Sequence, residues 1–441
     1  MKKAALILAA ALLAACGNGN TKSANSNGMM GAVLDDPDYD TYFTPERLRV
    51  DLVLAGNMKI QHAYLSGLAC ESAWAGPKNG LIDPFDYGEY RYRAFTPDGQ
   101  LIFSRGLCPL FQEWRSTEQA GKVDMAMTQT VWMPFPKDSI QISVEARNSR
   151  TKVFETLLEF GINPQDKLIA RTPLTMPEAI QECGPMEDRV DLLFIPEGYA
   201  EDQMDLFREK ARQFTEYLFQ YEPYRSRRDD FNVWMAASPS QENGVDIPHH
   251  DIWRNTLCQS GFYTFYIDRY LTIQDHTAIA RAVAGVPFDA LFVIANDTKY
   301  GGGGFYNSYA MGTSDHRLSN EVFIHEFGHS FAGLGDEYYD SEVAYSNDYY
   351  PAGVEPWEPN ITNLTEFESK WKDMIDPETV TPTPNDSSYM NVTGLFEGAG
   401  YQTYGLYRPC FECRMKNNTS PEFCPVCQRA ISRMIDFYCG K

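Results

Sequence analysis

The hydrophobic period of this 441-residue chain changes once along its length, and that change limits what it can fold into. Ahead of about residue 165 the apolar side chains alternate, as in Leu48, Val50, Leu52 and Leu54, in Tyr90, Tyr92 and Ala94, and in Ile140, Ile142 and Val144. A two-residue period belongs to strands with one buried face. Pro97-Asp98-Gly99 supplies turn chemistry, and no long helical pattern interrupts, so residues 41–165 read as an antiparallel β-sandwich. Residues 190–195 are instead continuously apolar, as a strand covered on both faces must be. Met204, Phe207, Ala211, Phe214 and Leu218 then recur at helical spacing, and residues 231–237, 278–284 and 290–295 read as strand, helix and strand. That alternation implies an α/β layer over residues 188–441, with the proline-rich stretch 166–187 as a connector. The expected class is α+β and multidomain.

The first residues concern destination rather than fold. Lys2 and Lys3 precede an apolar run, 4–15, that is too short to span a bilayer but fits an export signal. Leu13-Ala14-Ala15-Cys16-Gly17 resembles a bacterial lipobox, which makes Cys16 the expected lipidated N-terminus and residues 1–16 a lipoprotein signal peptide. Residues 17–40, rich in Gly, Asn, Ser and Asp, read as a flexible tether. The expected location is the bacterial cell envelope, extracytoplasmic and held to the membrane by lipid alone. Acidic residues outnumber basic ones 60 to 38, for a net charge of -22, which argues against nucleic acid as a partner.

His325-Glu326-Phe327-Gly328-His329 is an H-E-x-x-H pattern, and Val322, Phe323, Phe327 and Phe331 around it give a helix one buried face. On a helix the two imidazoles project side by side, a spacing that suits one tetrahedral Zn²⁺, while Glu326 is offset from the metal and free to act as a base. Two partly buried histidines on an amphipathic helix are the ordinary alternative. The residues after His329 also suit a metal site. Gly333 can adopt the left-handed conformation that stops the helix and turns the chain back, bringing Asp336 or Glu337 within reach as a third ligand.

The stretch 325–339, with its Gly-Leu-Gly-Asp-Glu-Tyr continuation, resembles the M64 family of metallopeptidases, whose founding activity is cleavage of immunoglobulin A. The similarity extends over residues 188–438, and the β domain ahead of it resembles the N-terminal domain common in Bacteroides-type members. The resemblance implies a metzincin-like zinc peptidase domain with Glu326 as catalytic base and His325 and His329 on the zinc. The glycine-then-ligand order of metzincins places Asp336 ahead of Glu337 as third ligand. One extra residue separates His329 from Gly333, and Asp336 stands where histidine is commoner. The resemblance also suggests Met415 as the methionine packed beneath the metal, with Met390 a weaker candidate. The run Gly301 to Gly304 occupies the place of the substrate-pairing edge strand, although four glycines serve a mobile loop equally well. Tyr338, Tyr339 and Tyr407 are available near such a zinc, but none is assigned as an oxyanion donor.

Cys410-x-x-Cys413 and Cys424-x-x-Cys427 have the spacing of a Cys₄ zinc site, but an exported chain favours one or two disulfides there. His249, His250 and His276 read as surface histidines. Taken together, the expectation is a secreted, lipid-anchored zinc endopeptidase acting on host or environmental proteins, possible substrates including immunoglobulin and other glycoproteins. The alternative is an adhesin or glycan-binding lipoprotein with an inactive peptidase fold.

Overall fold

The computed structural model describes residues 36–340 and 349–441. The proposed signal, Cys16 and most of the tether therefore lie outside the described residues. Residues 36–441 form one compact unit.

After a short helix, α1 (Tyr39–Tyr42), the N-terminal part builds two four-stranded sheets. Its strands are β1 (Phe43–Gly56), β2 (Gln61–Glu71), β3 (Tyr90–Phe95), β4 (Leu101–Leu107), β5 (Met125–Pro136), β6 (Ile140–Arg147), β7 (Phe154–Ile162) and β8 (Ala170–Thr172), with a second short helix, α2 (Leu110–Arg115), between β4 and β5. The orders are β5-β1-β2-β8 and β4-β3-β6-β7. All pairings are antiparallel except β2 with β8, which is parallel. The connector is thus partly strand. Its second strand, β9 (Glu178–Gln181), joins the next sheet instead.

That sheet holds β10 (Val190–Glu197), β11 (Phe231–Met235), β12 (Ala290–Ala295), β13 (Gly302–Phe305) and β14 (Tyr309–Thr313), in the order β13-β14-β12-β10-β11-β9. The four central strands are parallel and the two edge strands antiparallel. Helices α3 (Met204–Leu218), α4 (His276–Ala282), α5 (Ser319–Ala332) and α6 (Pro425–Tyr438) accompany it, with a separate hairpin of β15 (Phe396–Ala399) and β16 (Gln402–Arg408).

The continuous apolar runs have a direct cause. In β10 Leu192 and Phe194 enter one core with α3, α5 and α6, while Leu193 and Ile195 enter the other core with the N-terminal strands. Phe292 and Ile294 against Leu291 and Val293 repeat this in β12. Both faces of the sheet are therefore dry, one under helices and one under the N-terminal part. Polar ties cross the same seam. Arg47 Nη2 donates to Val286 O at 3.0 Å, and Cys108 N donates to Tyr306 O at 2.9 Å. His276, expected at the surface, is buried there: Thr130 N donates to its Nδ1 at 3.3 Å and Ser308 Oγ lies 2.9 Å from its Nε2. His249 and His250 are at the surface, as expected.

Candidate active site

Helix α5 carries the H-E-x-x-H residues across the sheet. Phe323 stacks on Phe214 at 4.9 Å and meets Phe292 edge-on at 4.7 Å, so the apolar stripe of the helix is committed to the core. The opposite side then faces a cleft of about 430 Å³, lined by His325, Glu326 and His329. Gly333 ends the helix with φ +63°, the left-handed turn expected of it, and the chain doubles back to place Asp336 opposite the histidines.

The three donor atoms converge. His325 Nε2 and His329 Nε2 are 3.1 Å apart, and Asp336 Oδ1 lies 2.9 Å from the first and 3.3 Å from the second. Each imidazole Nδ1 faces a backbone carbonyl, Arg414 O at 3.0 Å for His325 and Leu334 O at 2.5 Å for His329. A carbonyl only accepts, so each Nδ1 carries a proton, and each ring when neutral turns its Nε2 lone pair inward. Two lone pairs and a carboxylate oxygen meeting at one buried point repel unless a cation sits among them. Asp336 Oδ1 is met by both imidazole Nε2 atoms. The spacings match the edges, about 3.3 Å, of a tetrahedral set with bonds of about 2.0–2.1 Å. The residues present therefore fit a divalent ion.

The same point attracts positive charge: burial opposes a charged His329, but the Asp336 carboxylate beside it outweighs this and raises its pKa to about 9, so a proton on the ring is what a bound ion would displace. Burial likewise opposes a charged Asp336, and the two imidazoles override it, holding its pKa far below the ordinary carboxylate value. Glu326 is shifted up, chiefly by burial and against the pull of both imidazoles.

Tyr401 Oη donates to Asp336 Oδ2, and Gly400 N donates to Asp336 O at 2.9 Å. Both come from the turn between β15 and β16, which therefore fixes the loop bearing Asp336. Met415 is fully buried, and a Cβ on Gly328 would stand 3.0 Å from its Sδ, so it packs directly against the helix that carries the histidines. Met390 is half exposed, at 49%, and takes no part.

The two candidate third ligands are separated by the structure. Glu337 points away from the histidines into a buried group with Cys413, Cys424 and Cys427. Only Asp336 of the pair reaches the histidines. The disulfides expected in this segment are absent: all nine described cysteines are free, and Cys413 and Cys427 approach only to 3.7 Å.

Three glycines of the run, Gly302, Gly303 and Gly304, are strand β13 rather than a loop, and two of them answer to α5. A Cβ on Gly304 would fall 2.3 Å from Glu326 O, and one on Gly302 would fall 3.0 Å from Glu326 Cγ. The outer edge of β13 is already bridged at Gly302 by Tyr270. Arg269, Tyr300, Tyr338 and Tyr401 also line the cleft, whereas Tyr339 and Tyr407 do not. Arg269, hydrogen-bonded to Tyr338, carries no motif in the sequence and is brought in only by tertiary folding. The N-terminal part contributes Glu89, Cys108 and Glu113 to the same wall.

A family model described as IgA Peptidase M64 matches residues 179–391 and 385–435, and one described as Peptidase M64 N-terminus matches residues 38–158. The site is thus that of a peptidase, with buried groups able to bind a metal. The chain belongs to the M64 peptidase family. No curated protein matches it.

Proposed function

We propose that this protein is a zinc endopeptidase, metzincin-like in its catalytic domain and preceded by a β-sandwich, in which His325, His329 and Asp336 hold the ion and Glu326 is the base. The convergence of two imidazole nitrogens and a carboxylate oxygen at one buried point is the observation that carries this reading. A bound divalent ion would supply Lewis acidity, polarising the scissile carbonyl and bringing the pKa of water towards about 7.

The chain's own residues do the rest. Glu326 lies in the cleft wall with a carboxylate made more basic by burial, suited to take a proton from the attacking water and return it to the leaving amine. Arg269, in the same wall and within electrostatic reach of Glu326 and Asp336, provides fixed positive charge for the oxyanion that develops. Arg414 O and Leu334 O hold both imidazoles in the tautomer that ligation needs. Met415 serves as the packing methionine beneath the helix. Glu89, Cys108 and Glu113 in the cleft wall support reading the β domain as part of the enzyme rather than as an adhesin.

Lys2, Lys3, the apolar run 4–15 and Cys16 support export and lipid anchoring at the cell envelope. The substrates are proteins or peptides, with immunoglobulin or other glycoproteins among the candidates. The test is digestion of a mixed protein substrate by zinc-loaded protein. Cleavage is expected to fall by about 10²–10⁴-fold in Glu326→Gln with zinc content unchanged. A zinc-loaded wild type that cleaves nothing would overturn the proposal.

A further inference from the structure

Behind the loop that carries Asp336 lies a second group of metal-binding side chains. Cys413, Cys424, Cys427 and Glu337 are all buried, with donor atoms within 4.8 Å of one another. Cys413 Sγ and Cys427 Sγ are 3.7 Å apart, and Glu337 Oε1 lies 3.2 Å from Cys427 Sγ and 3.9 Å from Cys424 Sγ. Tetrahedral bonding at about 2.3 Å to sulfur and about 2.0–2.2 Å to oxygen puts two thiolates about 3.8 Å apart and a thiolate and a carboxylate about 3.5 Å apart. The observed spacings straddle those values.

Two independent features point to a cation. Glu337 Oε2 is buried without a hydrogen-bond partner, and Glu337 Oε1 is met only by the thiols and by Asn360 Nδ2, at 3.0 Å. The sulfurs, in turn, receive backbone amides as thiolates do. Met415 N and Cys424 N donate to Cys413 Sγ at 3.5 and 3.3 Å, and Cys427 N donates to Cys424 Sγ at 3.5 Å. The last of these amides belongs to the first turn of α6, where the helix dipole favours negative charge.

We propose that Cys413, Cys424, Cys427 and Glu337 hold a structural zinc ion, distinct from the one in the cleft. A closed, four-donor, thiolate-rich and fully buried set is the chemistry of structural rather than catalytic zinc. Cys410, beside Cys424, stays outside the donor set. The ion would join the two segments that shape the cleft centre. Glu337 follows Asp336 in the chain, and its N donates to Met415 O at 2.8 Å, while Arg414 O, next to Cys413, orients His325. The inference does not depend on the peptidase reading, because it concerns ligands that the cleft does not use.

The experiment loads the full chain with Co²⁺ and reads thiolate-to-cobalt charge transfer in the near ultraviolet, alongside metal content by mass spectrometry. The wild type is expected to carry two ions, and His325→Ala/His329→Ala to keep one together with the whole charge-transfer band. Cys424→Ser/Cys427→Ser is expected to lose the band, and Cys410→Ser to keep it. If the cysteine variant does not fold, the histidine variant decides alone. A histidine variant with no ion and no band, a Cys413–Cys427 disulfide found by peptide mapping, or a band lost in Cys410→Ser would overturn the proposed site.

Discussion

The two donor groups flanking Asp336 and Glu337 are neighbours in sequence and opposites in design. One consists of nitrogen and oxygen donors at the wall of a cleft, with Glu326 beside it; the other consists of sulfur donors and a carboxylate, buried on every side. An accessible position beside a metal is what hydrolysis requires, and a sealed set is what holding two segments together requires. One short loop contributes a side chain to each group, Asp336 to the first and Glu337 to the second. Asp336 and Glu337 look interchangeable on paper and are not interchangeable in space.

The contrast is put to the hardest use by emptying one group and reading the other. His329→Ala should lower peptide cleavage by at least about 10³-fold, the several kcal/mol that a metal contributes to the transition state, while total metal falls by one ion rather than two. Metal analysis and a peptide-release assay on the same preparation check this.

Met415 lies between α5 and the second group, its Sδ against Gly328 and its carbonyl accepting from the Glu337 amide. Met415→Ala should destabilise the protein by about 2–5 kcal/mol in denaturant unfolding, whereas the volume-conserving Met415→Leu should cost less than about 1.5 kcal/mol. Equal losses for the two would show that packing volume is not what Met415 provides.

His276 serves as a control away from both groups. Burial lowers its pKa from 6.5 to about 4, so below pH 6.5 the unfolded chain binds a proton that the folded chain does not. Stability from this residue is complete above about pH 6.5 and is lost as pH falls towards 4, by up to about 3 kcal/mol. His276→Gln should flatten that part of the stability–pH curve without changing the metal count. The smallest expected effect belongs to Tyr401→Phe, which removes a donor from Asp336 Oδ2 and should weaken metal binding in the cleft by about 10-fold, measured by chelator competition.

Much of the fold and the cleft was legible from residue order because the information is local. The helix over 325–329 comes from apolar spacing, its end comes from Gly333, and the covered strands come from unbroken apolar runs such as 190–195. Arg269 and Tyr401 were not legible, since each reaches the cleft from a distant segment and carries no spacing signal. The four glycines were ambiguous for a related reason. The close approaches of Gly302 and Gly304 to α5, and of Gly301 and Gly303 to the segment around Arg269 and Leu271, are long-range, and no pattern within the run encodes them. The cysteine spacing does not encode the carboxylate of Glu337 that lies among Cys413, Cys424 and Cys427, and nothing near His276 encodes its burial, which comes from β5, far away in sequence.

Metal ligation in the cleft is decided by anomalous X-ray scattering at the zinc edge from crystals of the full chain. A peak is expected within about 2.0–2.2 Å of His325 Nε2, His329 Nε2 and an Asp336 carboxylate oxygen. No peak at that point from zinc-loaded crystals, or one in which Glu337 replaces Asp336, would refute the assignment.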